Sequence, residues 1–318
     1  MDALGNSIYN DFGYVIRYYR KKAGLSQEQL ADGICSRKYI GKIEKEECIP
    51  TLYMVYSFSR KMGINLFDAY ALIIEHHDFE THLKYEKLYD AINTRDDELL
   101  YKLAKEYSTL PGFAGGVPYQ FIMQAYCIYY SNVIKDYDQA VQYAVQGLDV
   151  SGLNDPDRKA SASLTNQDMC LLTTKAVALC RGGHFAEGRK DLEFLHECTR
   201  LRFEESRYIV NRNRRFDINM FALTTYNICE FFPNDAEHNL SLLDVSLQTL
   251  NKYECSSKLP ELFLYKARYL YDLKDINTAG CCFNAGYYLM VCQQSQEKAD
   301  QCARDILKER FDSLQNPI

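Results

Sequence analysis

Arg37, Lys38 and Lys42 lie close together in the chain, with Ser36 directly before them and Tyr39 among them. A guanidinium or an ammonium on a long stem can pair with phosphate or donate to the base edges of a duplex groove. A hydroxyl near a helix N-terminus joins the same surface, and the free backbone N–H groups of that terminus also suit an anion. The chemistry on offer is recognition of nucleic acid.

Such residues read a duplex only if short helices hold them out. Ser26 stands where an N-cap belongs, and Gln29 follows three residues later, the spacing of a capping box. A helix therefore starts after Ser26, with Leu30 and Ala31 on its inner side, and the small Ala31 admits a second helix at close range. Gly33 supplies a left-handed turn. Ser36 caps the next helix, on which Ile40 and Ile43 form an apolar edge while Arg37, Lys38 and Lys42 project elsewhere. Two short helices joined by a tight turn make a DNA-reading unit whose second helix enters the major groove. Arg37 and Lys38 are assigned to base edges and Tyr39 to a thymine methyl or a phosphate. Ser26, Gln27 and Lys42 are assigned to the DNA backbone, with Ser36 at the helix N-terminus that approaches it. The bland alternative is a pair of small packed helices carrying solvated lysines.

The run Gly24-Leu25-Ser26-Gln27-Glu28-Gln29-Leu30-Ala31, followed by Ile40-x-x-Ile43-Glu44, resembles the XRE or Cro/repressor-type helix-turn-helix. The resemblance implies five helices in residues 1–70: Phe12 to Ala23 first, a fourth opened by Pro50-Thr51-Leu52 and ended by Gly63, and a fifth from Asn65-Leu66-Phe67. It also implies an ion pair between Arg20 and Glu44. The turn Asp32-Gly33-Ile34-Cys35-Ser36 is one residue shorter than the generic pattern. In this it is similar to the peptide-responsive Gram-positive regulators grouped as the Rgg/PlcR/PrgX (RRNPP) family.

Net charge is −6 over 318 residues, but it is unevenly placed. Residues 1–70 hold ten Lys/Arg against eight Asp/Glu, a balance of +2, and the remainder holds 27 against 35, a balance of −8. So small a basic footprint binds DNA weakly as a single copy and loses affinity steeply with salt. A homodimer reading a palindromic operator is the expected remedy.

Twelve cysteines without a leader segment or a small-domain spacing pattern read as reduced cytosolic thiols, so a cytoplasmic protein is expected. There is no Cys-x-x-Cys pair, and no metal or cofactor is expected. Adjacent Cys281 and Cys282 read as small packing residues, with a redox role as the alternative. No run approaches the roughly 18 apolar residues needed to cross a bilayer, so no membrane partner is expected. Catalytic signatures are also missing: there is no Gly-x-Ser-x-Gly, no phosphate-cradling glycine loop and no His-Glu-x-x-His, and His76, His77 and His82 fall at a domain junction. The chain does not read as an enzyme.

From about Phe79 the pattern is helical almost throughout. Turns at Lys135-Asp136-Tyr137-Asp138-Gln139-Ala140, Gly183-His184-Phe185-Ala186-Glu187-Gly188 and Lys274-Asp275-Ile276-Asn277-Thr278-Ala279 each place a polar turn before an apolar and then a small residue. These resemble the inner turn of a tetratricopeptide repeat, degenerate here and repeated about five times. The expected fold is all-α, with the helix-turn-helix domain at 1–70, a linker at 71–80 and a right-handed tetratricopeptide-like domain at 81–318. That array would dimerise and hold a short signalling peptide on its concave face. Asn132, Asn166, Asn219 and Asn227 could pair with peptide units, and Arg214 and Arg215, in the polar run Asn211 to Asn219, with a terminal carboxylate. Most of the 26 tyrosines are expected in the core. The implied function is a transcriptional regulator gated by an intercellular peptide. Two rivals are a phage or mobile-element repressor whose helical part only oligomerises, and a scaffold that binds no DNA.

Overall fold

A computed structural model describes residues 12–67, 79–153, 164–205, 214–256 and 258–315. Every regular element among the described residues is helical, as the all-α reading expects. The chain divides into two compact units, Met1–Ile134 with Asp149–Leu153, and Lys135–Leu148 with Asn154–Ile318.

The first unit begins with α1 (Phe12–Lys22), α2 (Gln27–Ala31), α3 (Arg37–Ile43) and α4 (Leu52–Met62). Ser26 and Gln29 form the capping box, each satisfying the other's free backbone N–H, with Ser26 N to Gln29 Oε1 at 2.7 Å and Gln29 N to Ser26 Oγ at 3.1 Å. Ser36 caps α3 and Thr51 caps α4. Gly33, at φ +70°, makes the left-handed turn between α2 and α3, and Gly63, at φ +69°, ends α4. Val15, Ile16, Leu30, Ala31, Ile40, Ile43, Val55 and Phe58 bury one small core. Gly13 lets α1 run against the end of α3, since a Cβ there would lie 2.1 Å from the Ile43 carbonyl oxygen. Leu66 and Phe67 are helical, but the rest of the expected fifth helix lies outside the described residues.

The unit continues through α5 (Phe79–Thr94), α6 (Asp97–Tyr107), a 3-10 turn at Pro111–Phe113 and α7 (Gly116–Tyr129), which runs into a π turn at Tyr130–Ile134.

The second unit holds α8 (Tyr137–Asp149, whose last residue belongs to the first unit), α9 (Asn166–Arg181), α10 (Phe185–Glu205), α11 (Arg214–Phe231), α12 (Ala236–Lys252), α13 (Leu259–Asp272), α14 (Ile276–Gln293), α15 (Gln296–Leu307), a 3-10 turn and α16 (Phe311–Gln315). Consecutive helices pack as hairpins, α9 on α10, α11 on α12 and α13 on α14, and the first helices also touch one another, α9 on α11 and α11 on α13. The small residues expected to permit these crossings, Ala140, Gly188 and Ala279, are all buried. At Gly188 a Cβ would meet Cys180 Sγ at 2.4 Å. The ends of the hairpins are tied by polar contacts. Asn239 donates to the Phe232 carbonyl at 2.8 Å and to Tyr269 Oη at 2.9 Å, and Tyr269 donates to the Cys229 carbonyl at 3.0 Å.

The tyrosines depart from expectation. Among the described residues only Tyr107, Tyr265, Tyr269 and Tyr287 are buried, and most others are half-buried. A phenol satisfies its hydroxyl most cheaply at the edge of a core, where the ring is covered and the oxygen reaches a polar partner or water.

Candidate nucleic-acid interface and helical face

The recognition segment is set from both ends. At its start, the Ser36 hydroxyl accepts from Tyr39 N at 3.2 Å, so α3 begins directly at Arg37. At its end, Glu44 is buried and accepts from Arg20, Nε at 2.5 Å and Nη2 at 3.0 Å, while Arg20 Nη1 donates to the Leu25 carbonyl at 2.6 Å. One guanidinium thereby joins α1, the approach to α2 and the end of α3. The pairing of Arg20 with Glu44 is the one the resemblance implied.

Gln27 enters the same cluster. Its amide donates to Glu44 Oε2 at 2.9 Å, and its carbonyl oxygen lies 4.0 Å from where a Cβ on Gly41 would stand. Its amide is engaged within the domain, a contact that spacing alone did not disclose. Ser26 likewise accepts from Gln29 N as a cap.

Arg37, Lys38 and Lys42 are exposed, and among the described residues none has a carboxylate within ion-pair distance. Their charges stand in solvent on the outer side of α3, while Ile40 and Ile43 face the core. Lys61 differs: its ammonium donates to the Gln29 carbonyl at 2.9 Å and to that of Asp32, so it braces the C-terminal end of α2. Tyr39 is half-buried; its pKa is raised by Cys48 first, then by burial.

In the second unit, α9 and α11 each carry a stripe of half-buried positions among the described residues. On α9 the stripe includes Asn166, Cys170, Thr174 and Val177, and on α11 Asn219, Leu223, Tyr226 and the exposed Glu230. Both sets follow the i, i+3 and i+4 spacing of a single helix face. Glu230 accepts from the Tyr265 hydroxyl, whose pKa is raised chiefly by burial. The Tyr226 ring packs edge-on to Tyr265 at 5.6 Å and carries the Lys258 ammonium 4.5 Å from its centre. This face is polar and aromatic.

The candidate peptide contacts are dispersed. Asn219 lies on the half-buried stripe of α11; Asn227, beside it, is buried, and its Nδ2 has no hydrogen-bond partner among the described residues. Asn166 Oδ1 accepts from Arg202 Nη2 at 3.3 Å, and Arg202 also pairs with the fully buried Asp217 at 3.0 Å, tying α10 to α11. Asn132, in the first unit, donates to Asp97 Oδ2 at 2.9 Å. Arg214 stacks its guanidinium over Tyr253, 5.7 Å from the ring centre, and Arg215 is exposed. Asn211, Arg212 and Asn213 lie outside the described residues.

Residues 16–68 match the helix-turn-helix family. This stretch is a helix-turn-helix domain. No match to a curated protein is found. Among solved structures, PlcR of Bacillus thuringiensis in complex with the peptide PapR7 and DNA aligns with a TM-score of 0.59 at 14% identity, covering 91% of this chain and 99% of that one. The apo form of the same PlcR aligns with a TM-score of 0.52 at 12% identity, covering 92% and 99%. ComR from S. thermophilus, in complex with DNA and its signalling peptide ComS, aligns at 0.47 and 15% identity, covering 93% and 99%. The chain has the PlcR fold. In that PlcR-like fold the helix-turn-helix domain precedes the helical hairpins, and no helix among the described residues is long and apolar enough to cross a membrane.

Proposed function

We propose that this chain is a sequence-specific transcriptional regulator of the RRNPP type, which binds operator DNA through α3 and is controlled by a short intercellular peptide held along the first helices of the hairpins, α9, α11 and α13. The observation that carries the reading is the pairing of two features in one chain. One is a recognition helix locked at its end by Arg20, Glu44 and Gln27, with Arg37, Lys38 and Lys42 unpaired outside it. The other is a helical part whose fold matches PlcR, a protein solved with both a peptide and DNA.

The chain acts by binding, as a cytoplasmic homodimer on a palindromic site, and needs no cofactor. Residues 1–70 form the reading head and 81–318 the sensor, with 71–80 between them. Arg37 and Lys38 contact base edges, Tyr39 a thymine methyl or a phosphate, and Ser26, Gln27, Ser36 and Lys42 the backbone. A ligand shifts such a regulator only through its differential affinity for the DNA-competent and incompetent states. The test measures DNA affinity of the full chain with and without short synthetic peptides, including those encoded beside its gene. A reciprocal change, in which peptide alters DNA affinity and DNA alters peptide affinity by the same factor, supports the reading. DNA binding that no peptide shifts would leave the oligomerising repressor instead.

A further inference from the structure

We infer that Arg268 of α13 anchors a carboxylate-binding site, and that this site takes a carboxylate carried by the peptide. The inference rests on the peptide reading above for the identity of the ligand, though not for the carboxylate chemistry.

The place of Arg268 follows from its neighbours on α13. Tyr265 faces α11: its hydroxyl donates to Glu230, and its ring meets Tyr226 edge-on at 5.6 Å. Lys266 faces α12, where it reaches Asp244 at 2.5 Å. Leu264 faces α14, since a Cβ on Gly286 would lie 3.1 Å from Leu264 Cγ. Arg268 stands three residues after Tyr265 and four after Leu264, so it lies between the sides turned to α11 and α14 and away from α12. It is thereby set beside the α11 stripe that ends at Glu230.

The charges around it are matched among themselves. Lys258 pairs with Glu261 at 2.9 Å, Lys266 with Asp244 and Arg310 with Asp272 at 2.5 Å, while Glu230 accepts from Tyr265. Arg268 makes no hydrogen bond or ion pair among the described residues. Its Nε is shielded from water without an acceptor, whereas Nη1 and Nη2 are not shielded in this way. The guanidinium lies 5.9 Å from the centre of the Tyr269 ring, at the outer limit of a cation–π contact, where the attraction is weakest.

A half-buried guanidinium with a covered, unpaired Nε carries a desolvation cost that so distant a ring does not offset. Its chemistry suits a ligand instead. The two Nη groups form a planar fork that meets both oxygens of one carboxylate at once, a pairing that a lysine ammonium cannot make. The ring beside it is fixed: the Tyr269 hydroxyl donates to the Cys229 carbonyl at 3.0 Å and accepts from Asn239 at 2.9 Å. A donor whose stem is already half-buried loses less freedom when an acceptor arrives.

The test exposes the full chain to three pools of short synthetic peptides with otherwise uncharged side chains and weighs what is retained by mass spectrometry. One pool ends in a free carboxylate, one is amidated and carries a single Asp, and one is amidated and has no carboxylate. The native chain should retain one or both carboxylate pools at least about tenfold better than the third, and which of the two it prefers names the source. Arg268→Met should lose that preference yet melt no lower than the native chain, because no internal hydrogen bond is removed. Arg268→Lys, which keeps the charge without the fork, should recover only part of it. Equal retention of all three pools, a preference that survives in Arg268→Met, or a clear drop in the melting temperature of that variant would each overturn the inference. Retention of no pool at all would count against the peptide reading. In that case the site is decided by phenylglyoxal, whose reaction with Arg268 should be slowed by excess N-acetyl-leucine and not by N-acetyl-leucinamide, and equal rates with both would overturn it.

Discussion

The Arg20 guanidinium holds both oxygens of the Glu44 carboxylate, and both side chains are nearly sealed from water, at 10% and 4% exposure. Removing one partner leaves a buried charge without compensation, which costs more than the pair contributes. Arg20→Met should therefore destabilise the first unit by about 3–5 kcal/mol. Gln27→Ala, which removes one further donor to the same carboxylate, should cost about 1 kcal/mol. Urea unfolding of the full chain followed on that unit measures both. Equal, small losses would mean that the pair is not carrying the α1 to α3 junction.

Outside that junction the exposed cations of α3 separate by role. Arg37→Ala should cost about 1–3 kcal/mol on operator DNA and relax preference at one base pair. Lys42→Ala should weaken operator and random DNA alike and reduce the slope of log affinity against log salt by about one. Fluorescence anisotropy at several salt concentrations distinguishes them, and equal losses on both DNAs for Arg37→Ala would remove its base-reading role.

Two glycines in the second unit make an opposed pair. A Cβ on Gly188 would lie 2.4 Å from Cys180 Sγ and 3.0 Å from the Ala176 carbonyl oxygen, so Gly188→Ala should force α9 and α10 apart at a cost of about 1–3 kcal/mol. Gly280, inside α14, has nothing within 4 Å of such a Cβ, so Gly280→Ala should add about 0.5–1 kcal/mol by removing backbone freedom from the unfolded chain. Thermal melts that move in the same direction for both would refute the crossing argument.

These outcomes show which parts of the fold are written locally. Ser26 with Gln29, Gly33, Ser36, Thr51 and Gly63 each act within a few residues of their own position, so caps and turns were legible from spacing. So were Ala140, Gly188 and Ala279, because a helix crossing demands a small residue at a fixed distance from a turn. Contacts that join distant segments were not. Spacing does not disclose that Gln27 donates to Glu44, or that Asn166 accepts from Arg202 of α10. The tyrosines misled for a related reason: period alone places a ring on a helix face, but not the depth at which its hydroxyl finds a partner.

His196 gives the second unit a pH response. It lies against the Phe221 ring at 4.2 Å, and burial lowers its pKa from 6.5 to about 4, with Glu197 opposing and His238 and Arg200 adding to the shift. The folded value is below the unfolded one, so on acidification the unfolded chain takes up a proton first. Stability therefore falls as pH drops through 6.5 and levels off below 4, by about 3 kcal/mol in total. His196→Phe should lose this part of the dependence. Urea midpoints at pH 7.5 and pH 5 should differ more for the native chain than for the variant, and an unchanged difference would assign the response elsewhere.

Asn227 separates stability from ligand binding. It is 5% exposed, and its Nδ2 lacks a partner among the described residues, next to the stripe of half-buried Asn219, Leu223 and Tyr226 and exposed Glu230. A buried donor left without a hydrogen bond costs about 1–3 kcal/mol, so replacing the amide with an apolar group of like size should relieve that cost. Asn227→Leu should accordingly melt at or above the native temperature without ligand. If a peptide carbonyl supplies the missing acceptor, the same variant should bind the peptide at least tenfold more weakly and show a smaller peptide-induced rise in melting temperature. A variant that melts lower and binds peptide normally would place Asn227 in the structural core alone, and would move the peptide to the exposed positions of the stripe.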